Sequence, residues 1–63
     1  MEYPYIVIDA PGHYGDHGTV WSRHRTLSAA LRAKGGPQYA VARNDWNLRR
    51  GDKFHRAWNP GGK

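Results

Sequence analysis

Cysteine is absent from this 63-residue sequence, so neither a disulfide framework nor a thiolate zinc site can hold the fold. Long apolar runs are missing too. Nothing approaches the roughly 20 consecutive apolar residues of a membrane-spanning helix, and no membrane partner is expected. Aliphatic side chains are scarce: three Leu, two Ile and three Val, nine residues once Phe54 is added. In a charged chain so small a share leans towards disorder. Basic residues are missing from the front, since residues 1–21 contain Glu2, Asp9 and Asp16 but no Lys or Arg.

Two things compensate. Eight aromatic residues (Tyr3, Tyr5, Tyr14, Tyr39, Trp21, Trp46, Trp58 and Phe54) offer more buried area per residue than aliphatics do, which favours a folded domain with an aromatic core. A chain of this size buries only about 60% of the surface its unfolded form exposes, so stability is expected to be marginal. The charge is also concentrated. Residues 22–63 hold seven Arg and three Lys against Asp45 and Asp52, or +8, which the −3 of the front reduces to +5. That asymmetry suggests contact with an anionic partner through the rear two-thirds. Arginine is the better bidentate ligand for phosphate or carboxylate. The plainer alternative is a solvated basic surface that keeps a small protein in solution.

The segment around which the chain is organised runs from Ser22 to Lys34 and continues into Gly35-Gly36-Pro37. Leu27, Ala30 and Leu31 recur at i, i+3 and i+4, the spacing of one helical face. Thr26 is placed to cap the first turn with its hydroxyl, and Gly35 to close the helix in the left-handed conformation. One helix over about Thr26–Lys34 is predicted. Strands are predicted over Tyr3–Ile8, Gly18–Ser22, Gln38–Arg43 and Lys53–Trp58, from β-branched and aromatic content and alternation. Tyr3, Tyr5 and Val7 fall on one face of the first strand and Ile6 and Ile8 on the other, so it is expected to be central or covered. Ala40 and Ala42 make a small-residue face on which the helix could lie close. The fold class expected is α+β, with β-β-α-β-β order: a small antiparallel sheet of three or four strands and one short helix packed on one face. A single domain over residues 1–59 and a tail over 60–63 complete the expected organisation.

Three groups of residues could carry chemistry. Arg23, Arg25 and the Thr26 hydroxyl cluster at the helix entrance, where two cations are unfavourable for the helix itself but suit a bound phosphate or carboxylate. The alternative is that both arginines meet water or pair with Asp9 or Asp16. The second group is the Arg49-Arg50-Gly51-Asp52-Lys53 turn, with Arg43 and Arg56 beside it. Basic residues interleaved with Trp46, Phe54 and Trp58 match the pattern that grips a nucleic-acid backbone while stacking bases. Phe54 and Trp58 are expected in the core, and Trp46, in a polar loop, as an exposed anchor. With Arg32 on the helix, the partner- or anion-binding candidates are Arg23, Arg25, Thr26, Arg32, Arg43, Trp46, Arg49, Arg50, Lys53 and Arg56. The third group is His13, Asp16 and His17 in a glycine-rich loop near Asp9 and His24, residue types that serve metal binding or acid–base work. Flanking glycines argue against the rigidity a metal site needs. Gly12, Gly15 and Gly18 match neither a dinucleotide fingerprint nor a P-loop. No nucleophile is flanked by an evident base in sequence. No cofactor and no catalytic residue is expected; a His/Asp metal-dependent nuclease is the least favoured alternative.

The run Gly18-Thr19-Val20-Trp21-Ser22-Arg23-His24-Arg25-Thr26-Leu27, leading into Ala29-Ala30-Leu31-Arg32-Ala33 and then Tyr39-Ala40-Val41, resembles small phage- or prophage-encoded α+β proteins of the anti-CRISPR inhibitor type. The resemblance covers about the middle half of the chain and carries no shared site residues. It implies a non-enzymatic inhibitor, acting in the cytoplasm of a bacterial host, that binds a CRISPR effector complex and blocks target-DNA recruitment. Inhibitors that mimic DNA are acidic, whereas this chain is basic. The expected contact is therefore an acidic protein surface, or the nucleic acid within the complex. The alternative function is a basic, sequence-tolerant DNA- or RNA-binding module.

Overall fold

The computed structural model describes residues 2–12 and 16–56. Within them lie β1 (Tyr5–Asp9), β2 (His17–His24), α1 (Leu27–Ala33), β3 (Tyr39–Arg43) and β4 (Lys53–His55). The strands form one antiparallel sheet in the order β3-β1-β2-β4. This is the α+β fold and the element order that the alternation and the helical spacing predict. β2 and β3 both run antiparallel to β1, hence parallel to each other, and α1 links them by crossing over β1.

β1 is the centre of the sheet and its side chains explain why. Ile6, Val7 and Ile8 are all fully buried although Val7 points opposite to its two neighbours, so both faces of β1 are covered. Ile6 and Ile8 join Ala10, Val20, Ala42 and Phe54 in one apolar cluster, with Ala40, Trp46 and Leu48 packed against its edge. The cover on that side is the loop over residues 44–52, not the helix. On the Val7 side lies α1, whose Ala30 is fully buried outside that cluster. The chain leaving α1 passes close over the same side: a Cβ on Gly35 would meet the Tyr39 ring at 3.6 Å.

Three expectations about the helix change here. Ala40 and Ala42 face the cluster beneath the loop, so they are not the surface on which the helix rests. Of the three residues expected on the buried helical face, only Ala30 is buried. Leu27 and Leu31 are 47% and 55% exposed, because α1 spans seven residues and meets the sheet along a narrow line. The Thr26 cap is present, its Oγ1 accepting from the Ala29 N–H at 3.1 Å. The other end closes on Lys34, which is extended (φ −63°, ψ 117°) and donates its N–H to Ala30 O, so no left-handed Gly35 is used. The last strand is three residues long. Ala57, Trp58 and the tail over 60–63 lie outside the described residues, as do His13, Tyr14 and Gly15.

The loop over 44–52 is held by one buried polar residue. Asn44 has no exposed surface and every polar group of its side chain is matched. Its Nδ2 donates to Tyr3 O at 3.0 Å and Leu48 O at 3.1 Å, and its Oδ1 accepts from Leu48 N–H at 2.7 Å. Its backbone N–H donates to Pro4 O at 2.8 Å. One side chain thus ties the chain before β1 to the loop after β3. The far end of the loop is fixed on β2, where Gly51 N–H donates to Val20 O and Val20 N–H to Asp52 O, both at 2.9 Å.

Two outcomes test this account. Asn44→Ala strands two carbonyls and an N–H at a buried site, and each such group costs about 1–3 kcal/mol. Asn44→Ala is expected to lower stability in urea denaturation by roughly 3 kcal/mol, and Asn44→Asp, which replaces two donated bonds with a carboxylate facing carbonyls, by at least as much. Gly18→Ala would drive a Cβ into the Asp9 carbonyl oxygen and to 3.0 Å from Ala10 Cβ, backbone and core that cannot yield. The expected result is a loss of the cooperative thermal transition.

Candidate functional site

The β1–β2 ladder carries a β-bulge that decides what the surface offers. Val7 pairs with Ser22 and Ile8 with Val20, so Trp21 is the extra residue on β2. A bulge re-aims the side chain it carries. Trp21 stands 46% exposed, its ring tilted against Tyr39 at 5.7 Å between centroids, with the Arg50 guanidinium 5.2 Å from its centroid. The turn that delivers Arg50 is ordered: Arg49 N–H donates to Asp52 Oδ2 at 2.8 Å, Asp52 N–H to Arg49 O at 3.0 Å, and Gly51 sits at φ +93°.

Further arginine–aromatic contacts form at one end of the sheet, over Tyr3 and over Tyr5. Tyr5 stands between His24 of β2 and Arg43 of β3 in the register, which brings three strand ends together. The Arg23 guanidinium lies 4.5 Å from the Tyr3 ring centroid, Arg25 5.8 Å from the same ring, and Arg43 5.5 Å from the Tyr5 ring. Arg25 also approaches Glu2 at 3.8 Å and Arg43 approaches Asp45 at 3.9 Å. Both ion pairs are well exposed and contribute little to stability. A guanidinium over a ring is held in place while its N–H edges stay available for carboxylate or phosphate oxygens.

The candidates therefore regroup. Arg23 and Arg25 do meet, over Tyr3, and neither of their pairings involves Asp9 or Asp16. Thr26 is at the helix start as expected, but its oxygen serves the cap. The register sets Arg43, over Tyr5, on the face of the sheet opposite Arg23. Arg43 is also separated from Arg49, Arg50, Lys53 and Arg56. The reason is the strand order, which puts β3 and β4 on opposite edges of the sheet. Arg49, Arg50 and Lys53 lie along the β4 side, where Lys53 pairs with Thr19, and Arg56 donates its N–H to Asp16 O at 2.7 Å. Arg32 is exposed in the last turn of α1, where a cation suits the helix dipole.

Trp46 is not the exposed anchor. It is half-buried against the core and meets Phe54 edge-on at 6.0 Å and 66°, while Phe54 is 3% exposed as a core residue. Among the described residues the exposed tryptophan is Trp21, which the sequence analysis places in a strand and among the aromatics of the expected core. Regular alternation gives no sign of the bulge that turns it outward.

The histidines gather differently from their sequence spacing. His17 pairs across strands with His55, and the rings stack at 5.5 Å and 8°. His55 is 38 positions away in sequence, so no local motif could have joined them. Among the described residues no group of three or more His, Asp or Glu is gathered as a metal site. His13 lies outside those residues. One nucleophile does meet a base: Ser22 Oγ and His24 Nε2 are 2.8 Å apart on the same strand face. Among the described residues no carboxylate hydrogen-bonds the other nitrogen of that imidazole, the orienting group a serine nucleophile's base uses. A cleft of about 320 Å³ lies at the other end of the sheet, between Ala10, Lys34, Gln38 and Tyr39, away from the Tyr3 group.

No helix among the described residues is long and apolar enough to cross a membrane. Comparison with protein-family models, with curated proteins and with solved structures gives no match to this chain.

The ring-backed arginines generate a direct test of the site's geometry. Arg50→Ala removes the cation over Trp21 without touching a buried group, and exposed cation–π pairs are worth about 0.5–1 kcal/mol. The variant is expected to fold, to lose no more than that in stability, and to show greater acrylamide quenching of tryptophan fluorescence than the parent.

Proposed function

We propose that this chain is a non-enzymatic binding protein of the phage-type anti-CRISPR kind, binding a CRISPR effector complex in the bacterial cytoplasm and blocking target-DNA recruitment. The observation that carries this reading is the arrangement of arginines over aromatic rings. Arg23 and Arg25 over Tyr3, Arg43 over Tyr5 and Arg50 over Trp21 offer ring-backed guanidinium edges to acidic groups of a partner. Those rings have a face already covered by the protein's own cations, and both faces of the central strand are covered. A module that reads single strands by stacking instead keeps open aromatic platforms. Ring-backed arginine is also a frequent energetic anchor in protein interfaces.

Direct binding to DNA or RNA is the second reading, supported by the +5 net charge and its excess of Arg. The two readings part on salt. Contacts with a nucleic-acid backbone release counterions, so affinity falls steeply as salt rises. A protein interface with aromatic anchors loses mainly association rate.

The test is target-DNA capture by a guide-loaded CRISPR effector complex, read by mobility shift with and without the chain at near-physiological salt. Inhibition is expected, together with co-elution of the chain and the effector. The combined Arg23→Ala, Arg25→Ala and Arg43→Ala variant is expected to weaken it by at least about tenfold, the equivalent of 1.4 kcal/mol. Fluorescence anisotropy with short single- and double-stranded DNA and RNA runs beside it. Submicromolar binding to bare nucleic acid with a steep salt slope, and no association with effectors, would replace the first reading with the second.

A further inference from the structure

Among the described residues no strand pairs with the outer edge of β3, and the sequence of that edge complements itself. In the β1–β3 ladder, Ala10 N–H donates to Gln38 O and Asn44 N–H to Pro4 O, each at 2.8 Å, and both pairs continue the register of the strands. Bonded pairs alternate along an antiparallel ladder. The residues of β3 bonded to β1 are therefore Ala40 and Ala42, while Tyr39, Val41 and Arg43 turn their backbone groups outward. The Tyr39 N–H closes a turn onto Gly36 O at 3.0 Å. Among the described residues no other element reaches this edge, because β3 is the last strand on its side.

Edges of this kind are normally blunted by lysine, proline, a bulge or brevity. β4, the opposite edge, is three residues long and carries Lys53. β3 is five residues long, has no proline, pairs with β1 without a bulge, and bears its single charge at the end.

We propose that β3 is the interface with a second copy of this chain, in a two-fold dimer whose sheet runs continuously through both copies. A register centred on Val41 places outward-facing residues opposite outward-facing residues. Val41 N–H of each copy then donates to Val41 C=O of the other, and each Arg43 N–H to the Tyr39 C=O of the other copy. The side chains agree with the backbone. Val41 meets Val41, Ala40 meets Ala42, and the Arg43 guanidinium comes beside the second copy's Tyr39 ring, so no like charges stand opposite one another. Such a self-matching patch is what an isologous interface requires. A foreign strand would find the same backbone groups but no reason for this pairing of Arg43 with Tyr39. The two-fold axis stands across the sheet, so both α1 helices lie on one face of the dimer.

The copies each carry +5, so their approach is opposed by charge, and salt should favour the dimer. That dependence is opposite in sign to binding of an anionic partner, which keeps the two proposals separable. The experiment is sedimentation equilibrium on the full chain across micromolar to millimolar concentration, at low and moderate salt. The weight-average mass is expected to rise from 7.2 kDa towards twice that value, sooner at the higher salt. Val41→Pro removes an outward N–H from an edge strand, a place where proline is tolerated. Val41→Lys puts two ammonium groups face to face on the axis. Each variant is expected to weaken association at least tenfold. In the parent chain, amide exchange at Val41 and Arg43 should slow as concentration rises, a reading that needs no variant. A parent chain that stays at monomer mass up to millimolar concentration overturns the proposal. So does a dimer that survives both substitutions, or amides at Val41 and Arg43 whose exchange ignores concentration; pairing of the β3 edge only with an added peptide strand would do the same.

Discussion

The hydrogen bonds of Asn44 are the constraint on which the rest of this small structure depends. An apolar inventory this thin does not cover both faces of β1 with secondary structure, since among the described residues there is one helix and it covers one side. The other side is covered by a loop, and loops lack the internal ladder that makes an element rigid. Asn44 supplies what is missing. Buried beside the start of the loop, it satisfies backbone groups of Tyr3 and Leu48 together, so Trp46 and Leu48 are held over Phe54 and not left to solvent. A buried amide with every group matched specifies one arrangement, whereas apolar packing alone would accept several.

The same economy shapes the surface. Tyr3, Tyr5 and Trp21 would ordinarily be called upon as core in so aliphatic-poor a chain. They are instead shared: half-buried tyrosines and the exposed tryptophan support guanidiniums on their outer faces. Long arginine stems cover apolar ring surface while the charged heads remain wet. The basic residues thus stabilise modestly and present charge at defined positions. Arg23 of β2 and Arg43 of β3 come to the same end of the sheet, on opposite faces, because both strands end beside the start of β1.

How much of this was legible in the sequence follows from which signals are local. The run of strand-preferring residues around Ile6, the helical spacing at Leu27–Leu31 and the Thr26 cap are local, and the first strand and the helix form around them, each within two residues of the expected ends. The α+β class follows from their order. Side-of-sheet relations are not local. That Ala42 faces a loop, that Arg43 sits far from Arg56, and that His17 meets His55 all follow from strand order and register, which no short window encodes. Trp46 and Trp21 exchanged roles for the same reason. A polar neighbourhood in sequence suggested exposure for Trp46, while Phe54, eight positions on, provided its packing partner. Leu27 and Leu31 show the limit of periodicity: it identifies a face, but the width of contact depends on how much of the helix reaches the sheet.

The central position of β1 sets the order in which the fold can be completed. β1 is synthesised before either of its neighbours in the sheet, and its three consecutive apolar residues then lack the covers they have in the fold. β2 follows closely and can close a hairpin on one edge. The Val7 face must wait for α1, the other edge for β3, and the Ile6–Ile8 face for the loop that Asn44 secures. Structure therefore accrues around a strand whose last cover arrives some 40 residues after it, the kind of non-local pairing that slows folding. The strand buried on both faces in the finished fold is thus the one whose cover depends on the most elements made after it.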